Sequence, residues 1–138
     1  MSQSTSLKVR NSVFAALVLS TIAWATPATA EEPFVQCGKA SWYKLRGTTA
    51  NGERADPDKL AAAHPSLPFG TLATVTNLKN GKSVVVRIND RGPFVKSRII
   101  DVTQAAAQKL GFVQQGIANV KVTSATPLAG KNTRDNCQ

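Results

Sequence analysis

Apolar and polar positions alternate with a period of two in several short runs, and glycine, proline and asparagine separate the runs. Residues 39–43 (KASWY) read as a first strand, 71–77 and 83–88 as the next two, and 99–102 and 117–123 as two more. The link between 77 and 83 contains Asn80-Gly81, a pair suited to the backbone of a tight hairpin. Two stretches read as helix. In the first, Asp56 is the expected N-cap and Pro57 the first helical position, and the helix runs through Ala63 until His64-Pro65 stops it. In the second, Thr103 is the expected cap of 104–110, with Gly111 as a left-handed C-cap. Short strands, two short helices and glycine-marked loops predict a small all-β barrel with short helical inserts, although a mixed α+β sheet fits the same periodicity.

The ends of the chain change this picture. Residues 1–30 read as an export signal: Lys8 and Arg10 form a basic start, 13–24 an apolar run, and Ala28-Thr29-Ala30 a small-residue cleavage site. The apolar run falls well short of the roughly 20 residues that span a bilayer, so a cleaved and soluble mature form is expected. Residues 31–36 then form a leader, 37–123 one domain and 124–138 a polar, loosely ordered tail. The signal carries two of the 17 basic residues and none of the eight acidic ones, which leaves a mature net charge of +7. In an exported protein that charge suits polyanionic envelope material, and no interleaved aromatic and basic stripe points to nucleic acid. Cys37 and Cys137 are the only cysteines, and export makes their pairing the expectation. No lipid anchor is expected at Cys37, because Phe34-Val35-Gln36 before it lacks small residues.

Candidate chemistry is sparse. The one histidine, His64, stands before Pro65, where its ring could face a cleft. No pairing of histidine or cysteine has the spacing of a metal site, so neither metal nor other cofactor is expected. Among the carboxylates, Glu31, Glu32 and Asp135 lie near the mature ends, and Asp56 and Asp58 serve a helix start. Glu53 in the turn-rich segment 46–53, Asp90 after the apolar strand Val84-Val86-Ile88, and Asp101 remain. Asp90 with Glu53 or His64 could supply the acid and the supporting group that glycosidic chemistry requires. Each residue also has a structural reading: Asp90 as a turn carboxylate, Asp101 as a partner of Arg98, Glu53 as a solvated loop residue.

The motifs ASWY, TANGE, AAHPSLPFGT, VTNLKNGKSVVVRINDRGPF and RIIDV, in this order between Ala40 and Val122, resemble the RlpA-type (rare lipoprotein A) lytic transglycosylases. The resemblance implies a six-stranded double-psi β-barrel that cleaves the bond between N-acetylmuramic acid and N-acetylglucosamine in peptidoglycan, leaving a 1,6-anhydromuramic end. It implies that Asp90 and His64 are essential, with Glu53 a third cleft residue. Tyr43, Trp42, Thr49, Asn51, Arg91 and Asp101 are the expected glycan contacts. Among the departures from the pattern, the loop between Tyr43 and Thr49 looks short, and Lys44 stands where a glycine is usual. The barrel is also similar to the first domain of expansins, so a non-catalytic wall-binding or wall-loosening module is the alternative.

Overall fold

The computed structural model describes residues 24–27, 32–128 and 137. The basic start and cleavage motif of the expected export signal, most of its apolar run, and residues 129–136 of the tail lie outside the described residues.

Six strands, β1 (Phe34–Tyr43), β2 (Ala61–Ala63), β3 (Leu72–Asn77), β4 (Ser83–Asp90), β5 (Arg98–Thr103) and β6 (Ile117–Ser124), close into a barrel in the order β1-β5-β2-β4-β3-β6. The β1–β5 and β2–β4 pairs are parallel and the others antiparallel. Alternation explains the core. Val75, Val86, Ile88, Val120 and Val122 occupy every second position of their strands and are fully enclosed, together with Ile100 and Val102 of β5. Closure leaves no unpaired sheet edge, which is how so small a barrel protects its backbone hydrogen bonds.

All five expected strands are present, some longer than anticipated. β1 begins at Phe34, inside the segment expected to be a leader, because 34–41 pairs in register with β6. β4 runs through Asp90 rather than stopping at Ile88. The hairpin forms with Gly81 at φ 73°, and the Gly81 N–H donates to Asn77 O at 2.8 Å.

The first expected helix is absent. Asp56 closes a turn, its side chain accepting the Asp58 N–H at 3.0 Å, and Ala61–Ala63 is strand β2. Ala62 pairs with Ile88 on one side and Val102 on the other. At this crowded interior position only a small side chain fits, so packing outweighs the helical preference of an alanine run. The one helix among the described residues is α1 (Gln104–Leu110), ended by Gly111 at φ 74°, ψ 33° as expected. Thr103 precedes it without capping it. Its hydroxyl donates to Lys59 O at 2.6 Å and accepts the Ala61 N–H at 3.4 Å, tying the segment before β2 to β5.

A disulfide joins Cys37 of β1 to Cys137, 100 positions apart in sequence.

Candidate active site

Strand register brings two carboxylates together. Ala63 is the partner of Asp90 on β4 and of Asp101 on β5, so the two aspartates flank one alanine, about two strand spacings or roughly 10 Å apart at Cα. Ser41 of β1 is the register partner of Asp101, and its hydroxyl donates to Asp101 Oδ1. Tyr43, two positions further along β1, shares that face of the strand. Burial first, then the negative charges of Asp90 and Asp101, push the Tyr43 phenol well above its usual ionisation range. Tyr43 is therefore a neutral hydroxyl that both carboxylates sense.

Asp90 is held asymmetrically. Its Oδ1 accepts the N–H of Ala50 and of Arg91, each at 2.9 Å, and Oδ2 has no protein partner among the described residues. Two donors on one oxygen fix the plane of the carboxyl group and leave the other oxygen for an external group. When Asp90 carries a proton, that proton belongs on Oδ2. The donor Ala50 stands at the tip of a hairpin-like loop, 47–54, closed by a Thr48–Arg54 bridge and by Ala55 N–H donating to Gly47 O at 2.7 Å.

The same loop carries Thr49, Asn51 and Glu53. The Thr49 hydroxyl donates to Asn51 Oδ1 at 2.6 Å, and the Glu53 N–H donates to that oxygen at 3.1 Å. Two of the expected sugar-binding groups thus shape the loop itself, and Thr49 is buried. Glu53 is ion-paired with Arg87 and accepts Asn89 Nδ2 at 3.4 Å. Arg87 foremost, then Asn51 and Asn89, hold its carboxyl below the usual range, so Glu53 is an anion at neutral pH and not a proton donor.

His64 does not face the cleft as expected. It is 2% exposed, with its ring edge-on to Phe34 at 5.6 Å between centroids. Nδ1 accepts the N–H of Ser66 at 3.1 Å and of Leu67 at 3.0 Å, which fixes the neutral tautomer, and Nε2–H donates to Gln36 Oε1 at 3.0 Å. Burial and the nearby Arg91 lower its pKa from 6.5 to about 4. All of its ring hydrogen bonding is spent inside the protein. Its backbone nonetheless reaches the site: the His64 N–H donates to Asp90 O at 3.2 Å.

Arg91 braces the segment 64–67. Its Nη1 donates to His64 O at 3.1 Å and Leu67 O at 2.8 Å, and its guanidinium stacks 3.8 Å from the centre of the Phe69 ring. Trp42 points the other way, its Nε1–H donating to Val113 O at 3.0 Å while the ring packs on the core, so of the two neighbouring aromatics only Tyr43 lies with the carboxylates. Arg98 lies 3.6 Å from Asp101 Oδ1, as the local spacing suggested. Gln36 is the residue that sequence reasoning missed. Nothing but its alternation on an undetected part of β1 could have found it. A groove of about 1120 Å³ lined by Gly38, Asn80, Phe112 and Asn119 takes no side chain from this cluster. Asp90 is half-buried at the end of β4, beside the loop 47–54.

Residues 35–122 match the family described as lytic transglycolase. The chain belongs to that family, in its RlpA-type branch of double-psi β-barrels. It is 54% identical over 105 residues, 74% of its length and 44% of the relative's, to the endolytic peptidoglycan transglycosylase RlpA of Neisseria meningitidis serogroup A. It is 53% identical over 94 residues, 66% of its length and 28% of the relative's, to the protein of the same name from Pseudomonas aeruginosa strain UCBPP-PA14. The chain thus spans less than half the length of these curated relatives. Among solved structures, an expansin of Clavibacter michiganensis aligns over 70% of this chain and 53% of its own, at 24% identity and a TM-score of 0.56. The Streptomyces papain inhibitor aligns over 64% of this chain and 93% of its own, at 24% identity and a TM-score of 0.54. These two likenesses concern the barrel alone.

Proposed function

We propose that this RlpA-family barrel is an exported peptidoglycan lytic transglycosylase, with Asp90 as the one group that moves the proton. The observation that carries the reading is the asymmetry of Asp90: Oδ1 anchored by two N–H donors, Oδ2 open. In the reaction, Asp90 Oδ2–H protonates the glycosidic oxygen as the bond from C1 of N-acetylmuramic acid breaks, releasing the 4-hydroxyl of the next N-acetylglucosamine. The C6 hydroxyl of the same muramic residue then closes on C1, and the carboxylate of Asp90 takes back its proton. No water enters, and Asp90 ends as it began.

The remaining residues divide into three groups. Asp101 and the anionic Glu53 supply negative charge around the positive charge that develops at C1. Tyr43 supplies a neutral hydroxyl that senses both Asp90 and Asp101 and is able to donate to a sugar or to a carboxylate. His64, Gln36 and Arg91 are positioning residues: they brace 64–67 and hold Arg91, whose own N–H fixes Asp90. Export to the cell wall follows from the reading of residues 1–30 and from the substrate. The fragments released from purified sacculi test the proposal. The chain should release muropeptides with 1,6-anhydromuramic ends, whereas firm binding without release would return the barrel to the wall-binding module.

A further inference from the structure

Phe94 is 83% exposed, more than any other large apolar side chain between residues 32 and 128. It stands on the connection between β4 and β5, which begins beside Asp90 and ends at Arg98, the partner of Asp101. The ring folds back against the turn: its Cε2 and Cδ2 lie 3.6 and 3.8 Å from where a Cβ on Gly92 would stand, and Gly92 has φ 114°. Four residues reach at most about 14 Å, and the fold toward Gly92 shortens that, so the ring stands within one or two sugar lengths of Asp90. Val95 beside it is half exposed, and Lys96 and Ser97 are exposed and polar. The apolar surface is therefore about one ring wide, far too small for a protein interface. It matches the C–H face of a single pyranose, whose rim of hydroxyls would meet polar neighbours.

The geometry points to Phe94 as a stacking platform for one pyranose ring of the glycan strand, in a subsite next to the bond held at Asp90. This rests on the glycan reading above and adds a binding residue to it. A sugar laid on Phe94 registers the strand, so that the bond two or fewer rings away falls at Oδ2 of Asp90. The platform acts on binding and leaves proton transfer untouched.

The test uses a peptide-free glycan octasaccharide cut from sacculi, titrated by NMR against the Asp90→Asn protein so that nothing is cleaved. Phe94→Ala should weaken binding roughly 3- to 10-fold, the range expected for one lost aromatic contact. Its melting temperature should be unchanged, since the ring is exposed. Phe94→Trp should restore affinity, whereas Phe94→Leu, apolar but without a ring face, should remain weak. With Asp90 intact, Phe94→Ala should raise KM and leave kcat unchanged. Equal affinity of Phe94→Ala and its parent, parental affinity of Phe94→Leu, or a loss confined to binding of phosphatidylglycerol vesicles would each overturn the assignment. Phe94-dependent binding in a protein that releases no anhydro ends would remove the transglycosylase reading and leave the platform standing. Anhydro release with an unchanged KM in Phe94→Ala would remove the platform alone.

Discussion

At the scale of single residues, the chemistry depends on which side chains are free and which are already committed. Asp90 has one open oxygen, while His64 has none of its ring hydrogen bonding left. A buried neutral histidine makes a prediction about pH. The folded state resists protonation down to about pH 4, whereas the unfolded chain protonates near 6.5, so the unfolded state binds more protons between those values. Stability is therefore complete above pH 6.5 and falls as the pH drops toward 4, by up to about 3 kcal/mol. Urea unfolding at pH 7, 6 and 5 should show that fall. In His64→Leu the fall should be much shallower, on a baseline lowered by about 1–3 kcal/mol through the loss of an acceptor for a buried N–H. Glu53→Gln should leave stability nearly unchanged, because its ion pair with Arg87 is solvated, and should slow cleavage without abolishing it; initial rates of anhydro release measure this. The sequence made Asp90, His64 and Glu53 visible through residue type and turn context. It could not show that His64 points inward, because that depends on Gln36 and Phe34, about thirty positions away.

At the scale of elements, strands with strict alternation were legible, and so was the helix with a glycine stop. The segment 57–63 was not. Its alanines satisfy a helix pattern, but β2 needs three small residues to slot between β4 and β5, and neither neighbour is close in sequence. Ala62→Leu should therefore cost about 1–3 kcal/mol by overpacking, read as a shifted urea midpoint, although leucine is a good helix former. Gly38 makes a similar demand: a Cβ there would stand 2.6 Å from Ile99 Cγ2, so the start of β1 accepts glycine for lack of room. The loop 47–54 reaches the candidate site through the Ala50 N–H on Asp90, a backbone contact that residue types do not reveal.

At the scale of the whole molecule, a closed barrel of six strands holds Asp90, Asp101 and Tyr43 at one place from three strands, and the disulfide ties Cys137 back to β1. A bond closing so long a loop contributes at most about 4–5 kcal/mol by restricting the unfolded chain. Reduced protein, or Cys137→Ser, should unfold at a clearly lower urea concentration. The resemblance read from the motifs and the fold agree, while the roles within the site rest on the geometry around Asp90. The most direct test is digestion of sacculi in ¹⁸O-labelled water by the parent protein and by Asp90→Asn, which keeps the Oδ1 acceptor for both N–H groups. Asp90 as sole proton carrier predicts anhydromuramic ends without ¹⁸O from the parent and no release from Asp90→Asn. Reducing ends bearing ¹⁸O, or undiminished release from Asp90→Asn, would contradict it.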